Sequence, residues 1–386
     1  MTTGTTATTV EIAGIGLHPF GRFDGVSVTD MGVAAVRAAL TDAGIGPTDR
    51  PGFQAAFCGT AYSGVAAGHK VLSALARTGM PIVDVEAGCA SGGAALGLAA
   101  AAIRAGQYDT VLVFGMEKMP KGIIRSTFFE PWREVAGLAA TPAYFALRAQ
   151  RLMRERGITK EDLARVVVKN RAHGARNPDA MYQSETTIEE VLASRVVCEP
   201  LHLFMLCSPN EGAAAVVLRR SRGDSRAVRL DATVLRSHLP GSVLGEATPL
   251  AGIDDSNITP PTTLAAAAAY AEAGIGPDDV DIAECQDTDA ARELLGWEEL
   301  GLCAPGDQAR LLTSGAAALG GTRPINPSGG LLSKGEPLGA SALGQVVELT
   351  RQLRGTAGPR QVQHVNVALA HTVGRGANAS VTILSR

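Results

Sequence analysis

Leu40–Thr41–Asp42–Ala43–Gly44–Ile45–Gly46–Pro47 returns, little altered, as Tyr270–Ala271–Glu272–Ala273–Gly274–Ile275–Gly276–Pro277. Each copy closes a helix-like segment and leads into an apolar run, Phe53 to Cys58 in the first and Val280 to Cys285 in the second. Glycine past a helix end accepts the left-handed conformation that stops a helix. Working outward, Val10 to Ile15 reads as a strand and Asp30 to Ala43 as a helix capped by Thr29 or Asp30. Ile82 to Ala87 and Thr110 to Phe114 read as further strands, with an alanine-rich helix over Cys89 to Ala105 between them. Arg229 to Leu235 mirrors the first strand, and Val365 to Ala370 mirrors Thr110 to Phe114. Five shared residues alone would be weak. Their matching helix–turn–strand settings make an internally duplicated α/β chain the better reading.

The chain has 386 residues, a net charge of -3, 46% hydrophobic and 19% charged residues. That balance fits a folded protein and offers no basic surplus for nucleic acid. No apolar run reaches the length of a membrane span, since Ala94 to Ile103 ends at Arg104. Met1 to Thr9 is threonine-rich and does not read as a secretion signal. Six irregularly spaced cysteines suggest neither a disulfide framework nor a zinc site, so a reducing cytoplasm is the simplest setting. Lys118 to about Pro200 breaks the repeat and reads as an insertion in the first half. It carries the aromatics Phe128, Phe129 and Trp132, which would line an acyl tunnel or pack between subunits. Between Arg148 and Arg176 it holds nine Lys or Arg against three Asp or Glu. The helix break at Gly157 is followed by a capped start at Thr159–Lys160–Glu161–Asp162.

Cys89 is the first candidate for chemistry. It lies in Glu86–Ala87–Gly88–Cys89–Ala90–Ser91–Gly92–Gly93, after a strand and at a helix start. Unpaired N–H groups there favour a thiolate, and small neighbours leave room for a substrate. A small buried cysteine in a tight turn accounts for the same residues, so both readings stand on local sequence.

Several stretches resemble the thiolase superfamily, and within it the sterol-carrier-protein-x type. They are the Cys89 segment with Gly115–Met116–Glu117–Lys118–Met119, then Cys207–Ser208–Pro209–Asn210–Glu211–Gly212–Ala213–Ala214–Ala215. Asn326–Pro327–Ser328–Gly329–Gly330–Leu331–Leu332–Ser333–Lys334–Gly335 and Ala370–His371–Thr372–Val373–Gly374–Arg375–Gly376 complete the set, in order from about residue 9 to the C-terminus. The resemblance implies two five-stranded mixed sheets in a five-layered α/β/α/β/α body with an inserted loop domain. It places the halves at 1–225 and 226–386, with the insertion at about 118–200. It further implies a homodimer or tetramer, and coenzyme A thioesters as substrates with no permanently bound cofactor. The basic run from Arg148 to Arg176 would help hold the coenzyme A phosphates, although solvated helix faces explain each cation individually.

The resemblance also assigns roles. Cys89 matches the acyl-accepting nucleophile. The family's Gly-His-Pro reads Gly335–Glu336–Pro337 here, and its His-Asp-Cys-Phe reads Gln286–Asp287–Thr288–Asp289. The nucleophile is retained and three acid/base positions differ. Glu336 is expected as a base toward a substrate, because a carboxylate beside a thiolate repels it. A structural hydrogen bond is the alternative role for Glu336. Gln286 is expected to donate to a thioester oxygen, and Thr288 to be a structural hydroxyl. His371, past the final strand, is the best remaining imidazole for proton transfer, with a supporting role in the oxyanion loop as its alternative. His173, near Arg171 and Arg176, is expected on a solvated surface. No histidine pair has metal-ligand spacing, and no dinucleotide-binding glycine pattern follows a strand.

Three functions follow from this reading. The first is a thiolase-like acyltransferase that makes or breaks a C–C bond through a Cys89 acyl-enzyme, with an aromatic or other specialised acceptor. The second is a retro-aldolase cleaving a β-hydroxyacyl-CoA beside a small OB-fold partner protein. The third is a non-catalytic subunit of a complex.

Overall fold

The computed structural model describes residues 8–122, 135, 141–224, 227–239, 258–374 and 378–386. In the first half, β1 (Val10–Gly21), α1 (Val28–Asp42), β2 (Ala55–Gly59), α2 (Ala67–Ala74), β3 (Ile82–Val85), α3 (Ser91–Arg104) and β4 (Thr110–Lys118) follow one another. Next come α4 (Thr141–Arg156), α5 (Lys160–Gly174), α6 (Ile188–Ala193), the short strands β5 (Val196–Cys198) and β6 (Leu201–His202), and β7 (Glu211–Arg220). The second half runs through β8 (Val228–Ser237), α7 (Pro261–Ala273), β9 (Ile282–Glu284), α8 (Ala290–Glu299) and α9 (Gln308–Thr313). It ends with α10 (Gly330–Lys334), α11 (Leu338–Arg354), β10 (Val367–Gly374) and β11 (Asn378–Ser385).

The repeat seen in the sequence is a repeat of hydrogen bonds. Gly44 and Gly274 both take positive φ, 72° and 70°. Ile45 N donates to Leu40 O at 2.8 Å, and Ile275 N donates to Tyr270 O at 3.1 Å. Gly46 N reaches Asp49 Oδ2 at 2.9 Å, as Gly276 N reaches Asp279 Oδ2 at 2.8 Å.

Nine strands form one mixed sheet in the order β3-β2-β4-β7-β1-β8-β11-β10-β9, and β5 pairs with β6 in a separate two-stranded sheet. Read from both edges inward, the halves repeat: β2 answers β9, β4 answers β10, β7 answers β11 and β1 answers β8. The position answering β3 is reduced to a single parallel bridge between Ala283 and Ile325. Among the described residues only Glu11↔Arg229 and Ile12↔Val228 join β1 to β8, so the halves fold over each other there. Helices α3 and α11 touch strands of both halves and each other, while α1 covers the outer face of the first half and α7 that of the second. This gives the five layers expected.

The middle layer explains the alanine content. A helix between two sheets is buried on most of its circumference and has little room for large side chains. Ala95, Ala99 and Ala100 of α3 are fully buried, with Leu96 and Ile103 filling the gaps against Leu343, Val346 and Val347 of α11. Each such aliphatic side chain contributes roughly 1.5–3 kcal/mol by leaving water. Where β4 meets the start of α11, a Cβ on Gly115 would lie 2.0 Å from Gly339 O. That close approach draws the start of α11 toward the end of β4. Between β4 and β7, α4 and α5 pack on α8 of the second half. The capped start of α5 is present, with Asp162 N on Thr159 Oγ1 at 3.1 Å and Thr159 N on Asp162 Oδ2 at 3.0 Å. Phe128, Phe129 and Trp132 lie outside the described residues. Among the described residues, no helix is long and apolar enough to cross a membrane.

Candidate active site

The site lies where strand ends and helix starts converge, as ligand sites in α/β sheets do. Cys89 sits in a tight 3-10 turn, Gly88–Ala90, directly before α3. Gly88 takes φ 61°. Ser91 locks the turn, accepting from Ala87 N at 2.9 Å and donating to Gly88 O at 2.6 Å. Cys89 packs against Met119 and Leu338, with Ala61 alongside. The Ala61 loop is held by Glu117, which accepts from Ala61 N at 2.8 Å and Ser63 Oγ at 2.5 Å. Burial pushes the Glu117 carboxyl above the usual range, and these donors partly oppose that shift.

Glu336 arrives from the second half on the turn before α11. Gly335 takes φ 86°, and a Cβ there would lie 2.0 Å from Asn210 Nδ2. Only glycine lets this turn close on Asn210. Glu336 N then donates to Ser208 O at 2.9 Å, stitching the turn beside Cys207–Pro209. The Glu336 carboxylate accepts from Gln286 Nε2 at 3.1 Å and from the Cys207 thiol at 3.2 Å. Gln286 Oε1 accepts from Val373 N, which fixes the amide and leaves only its NH2 for Glu336. Burial, and then the negative charge of Glu336, push the Cys207 thiol well above its usual value, and Cys89 adds to the shift. Cys207 is therefore a protonated donor at neutral pH.

Beneath this group a buried network fixes the loop that delivers Glu336. Asp287 accepts from Leu331 N at 2.6 Å, Leu332 N at 3.1 Å and Asn170 Nδ2 at 2.8 Å. Burial, aided by Glu293, raises the Asp287 carboxyl well above its ordinary value. Glu284 accepts from Ser328 Oγ at 2.7 Å and lies 3.5 Å from Lys334 Nζ.

A cavity of about 380 Å³ opens over Cys89, Cys207 and Glu336. Thr288 also lines it, with its hydroxyl 3.4 Å from Asp289 Oδ2. Tyr144, Phe145, Tyr182 and Phe204 supply aromatic walls.

Four expectations change. Gln286 is fully buried and does not line the cavity; its amide orients Glu336 instead of meeting a thioester oxygen. His371 is fully buried on the outer side of β10, with Nε2 3.1 Å from Thr262 Oγ1 of α7. Burial, then Arg292, hold it well below the usual imidazole range. It does not reach the cavity, because strand neighbours alternate sides: Thr372 faces α11 through Gln345, so His371 faces away. His173 is buried, not solvated. Leu319 N donates to its Nε2 at 3.0 Å, so Nδ1 carries the proton toward Asn326 O at 2.9 Å. Burial depresses its pKa to about 3. Finally, seven of the nine cations between Arg148 and Arg176 form ion pairs with protein carboxylates. Arg171 and Arg176 remain, and only Arg171 lines the cavity. The residue that sequence reasoning missed is Cys207. Its segment was visible, but nothing local says that its thiol meets a carboxylate 129 residues away.

The Thiolase, N-terminal domain family matches residues 10–222, and the Thiolase C-terminal domain-like family matches residues 250–386. The chain belongs to the thiolase family. Among relatives, it is 38% identical over 389 residues to the benzoylsuccinyl-CoA thiolase subunit BbsB of Thauera aromatica, covering 97% of this chain and 96% of that protein. It is 34% identical to an acetyl-CoA acetyltransferase of Methanothermobacter thermautotrophicus, covering 98% and 99%. It is also 34% identical to sterol carrier protein 2 of Gallus gallus, over 97% of this chain and 71% of that one. Among solved structures, an Ltp2-ChsH2(DUF35) aldolase matches with a TM-score of 0.84 and 27% identity, covering 98% of both chains. Thiolase-family homologues are thus acyl-CoA enzymes, and the superfamily expected from the sequence is this one.

Proposed function

We propose that this thiolase makes or breaks a C–C bond on an acyl-CoA through a Cys89 acyl-enzyme. One observation carries the reading: a nucleophile candidate and an oriented carboxylate share one cavity wall with a protonated thiol. In the cleavage direction, Glu336 takes the Cys89 proton as the sulfur attacks the 3-oxo carbon. The C2–C3 bond breaks, its electron pair goes to C2 of the leaving acyl-CoA, and Glu336 returns the proton there. The acyl group then passes from Cys89 to the thiol of coenzyme A. Cys207 and Gln286 hold Glu336 by one oxygen each and so fix its direction. Backbone N–H groups near the Cys89 turn would receive the developing oxyanion. The aromatic walls suit a bulky acyl group, and the relative named for benzoylsuccinyl-CoA supports that size class.

Intact mass spectrometry after incubation with acyl-CoAs tests the step. The expected result is an acyl mass gain that vanishes in Cys89→Ala. Full turnover by Cys89→Ala would overturn it.

The similarity to an aldolase that includes a DUF35 chain favours a second reading. Here Glu336 would remove the proton of a β-hydroxyl. The C2–C3 bond would then break to an aldehyde and an acyl-CoA carbanion, which regains the proton. No cysteine is acylated in this reaction, so Cys89→Ala separates the two. In either reading we propose a second protein chain beside this one, supported by the relative's description as a subunit and by the DUF35 neighbour.

A further inference from the structure

We propose that the acyl substrate carries a carboxylate, and that Arg171 binds it inside the cavity. The proposal deepens the acyl-thioester reading and rests on it. Its basis is a comparison among the buried cations of the described residues. Lys169 pairs with Glu293, Arg292 with Glu299, Lys334 with Glu284 and Arg360 with Glu348. Arg77 donates to the backbone oxygens of Gly46, Asp49 and Pro51. Arg171 is as buried as these, at 8% exposure, yet among the described residues it meets no carboxylate or carbonyl, and its Nε has no partner. A buried Nε without an acceptor is costly, and the guanidinium borders the cavity that can supply one.

The surroundings say what acceptor fits. Arg171 stacks on Tyr182, 3.9 Å from the ring centroid, and lies 5.6 Å from that of Phe204. Stacking holds the guanidinium plane still while leaving its edge for planar, two-point pairing with a carboxylate. Both aromatic residues line the same cavity as Cys89 and Glu336. The other two lining cations are differently disposed. Arg22 already donates to the backbone oxygens of Met119, Pro120 and Pro209. Arg195 is exposed, at the rim, where a hydrated phosphate of coenzyme A can be met without entering the aromatic cage. Among the described residues Glu336 is the one acidic lining residue, and its two oxygens are engaged by Gln286 and Cys207. Among the described residues, the cavity therefore offers Arg171 no unengaged anion.

The test is equilibrium binding by the full chain carrying Cys89→Ala, so that no acyl transfer intervenes. The probes are dicarboxylic acyl-CoAs of four to eight acyl carbons, each against the monocarboxylic acyl-CoA of equal length, and free coenzyme A. At one chain length or more, the diacid thioester should bind about 10- to 100-fold more tightly than its partner. Arg171→Met should erase that preference and leave coenzyme A binding unchanged. Arg171→Lys should keep part of the preference. Equal affinity for the two series at every length would overturn the proposal. So would an Arg171→Met chain that loses affinity equally for diacid, monoacid and free coenzyme A, because Arg171 would then be a phosphate ligand. None of these readings depends on acylation of Cys89, which the mass measurement addresses separately.

Discussion

The turn before α3 and the turn before α11 occupy equivalent places in the two halves, and they share a pattern: Gly88–Cys89–Ala90–Ser91–Gly92 and Gly335–Glu336–Pro337–Leu338–Gly339. Each begins with a glycine at positive φ, 61° and 86°. Each places its chemical residue two positions before the helix begins, at Ser91 and at Leu338. The two helices then pack together in the middle layer. Duplication thus aims two helix N-termini at one cavity, and unpaired N–H groups at such ends favour negative charge. What differs is the side chain. One turn carries a thiol and the other a carboxylate, and both line the same cavity. The difference teaches that one scaffold supplies both sites, and that the side chain placed on each turn decides its chemistry.

The largest expected effect comes from breaking the first turn's chemistry. Cys89→Ala should lower turnover by about 10³-fold or more while leaving the fold intact, as steady-state kinetics with circular dichroism would check. Glu336→Gln attacks the second turn and should cost about 10²- to 10³-fold in kcat. It carries an internal control. Glu336 raises the Cys207 pKa, so removing its charge should lower that pKa and speed alkylation of Cys207 at pH 8. Unchanged alkylation would mean that the two groups do not interact as described.

Gln286→Leu sharpens the comparison, because it leaves both turns in place and removes only what aims Glu336. It should reduce kcat by about tenfold and stability by about 1–3 kcal/mol, since Val373 N also loses its acceptor. The smallest effect on turnover concerns a histidine that the site does not use. His173 is neutral in the fold, with a pKa near 3, and ordinary at 6.5 when unfolded. Its contribution is complete above pH 6.5 and is lost as pH falls toward 3, by about 1.4 kcal/mol per pH unit. The difference in denaturation free energy between the wild type and His173→Gln should follow that slope between pH 6 and 4. A flat difference would place the imidazole in water.

Much of the scaffold was legible in the sequence. The paired Ala-Gly-Ile-Gly-Pro turns act through glycines and local hydrogen bonds, so they read correctly without any tertiary information. The strand β7 was less legible. Glu211–Gly212–Ala213–Ala214–Ala215–Val216–Val217–Leu218 is buried on both faces and therefore lacks the alternation that marks a half-exposed strand. Cys89 was legible because its turn, its helix start and its small neighbours are contiguous.

The sequence by itself determined the duplicated α/β plan and the Cys89 turn, since both rest on contacts a few residues long. Only the tertiary structure decided how the remaining groups are used. Glu336 meets Cys207 across 129 residues and Gln286 across 50. His371 and Thr372 differ by one position, and the pleat sends one to α7 and the other to α11. The nine cations between Arg148 and Arg176 look alike in sequence, and their separation into seven paired cations, the exposed Arg176 and the cavity-lining Arg171 depends on which carboxylates the fold brings beside them. Side-chain chemistry is local, but its partners, and hence its role, are set by packing between segments far apart in the chain.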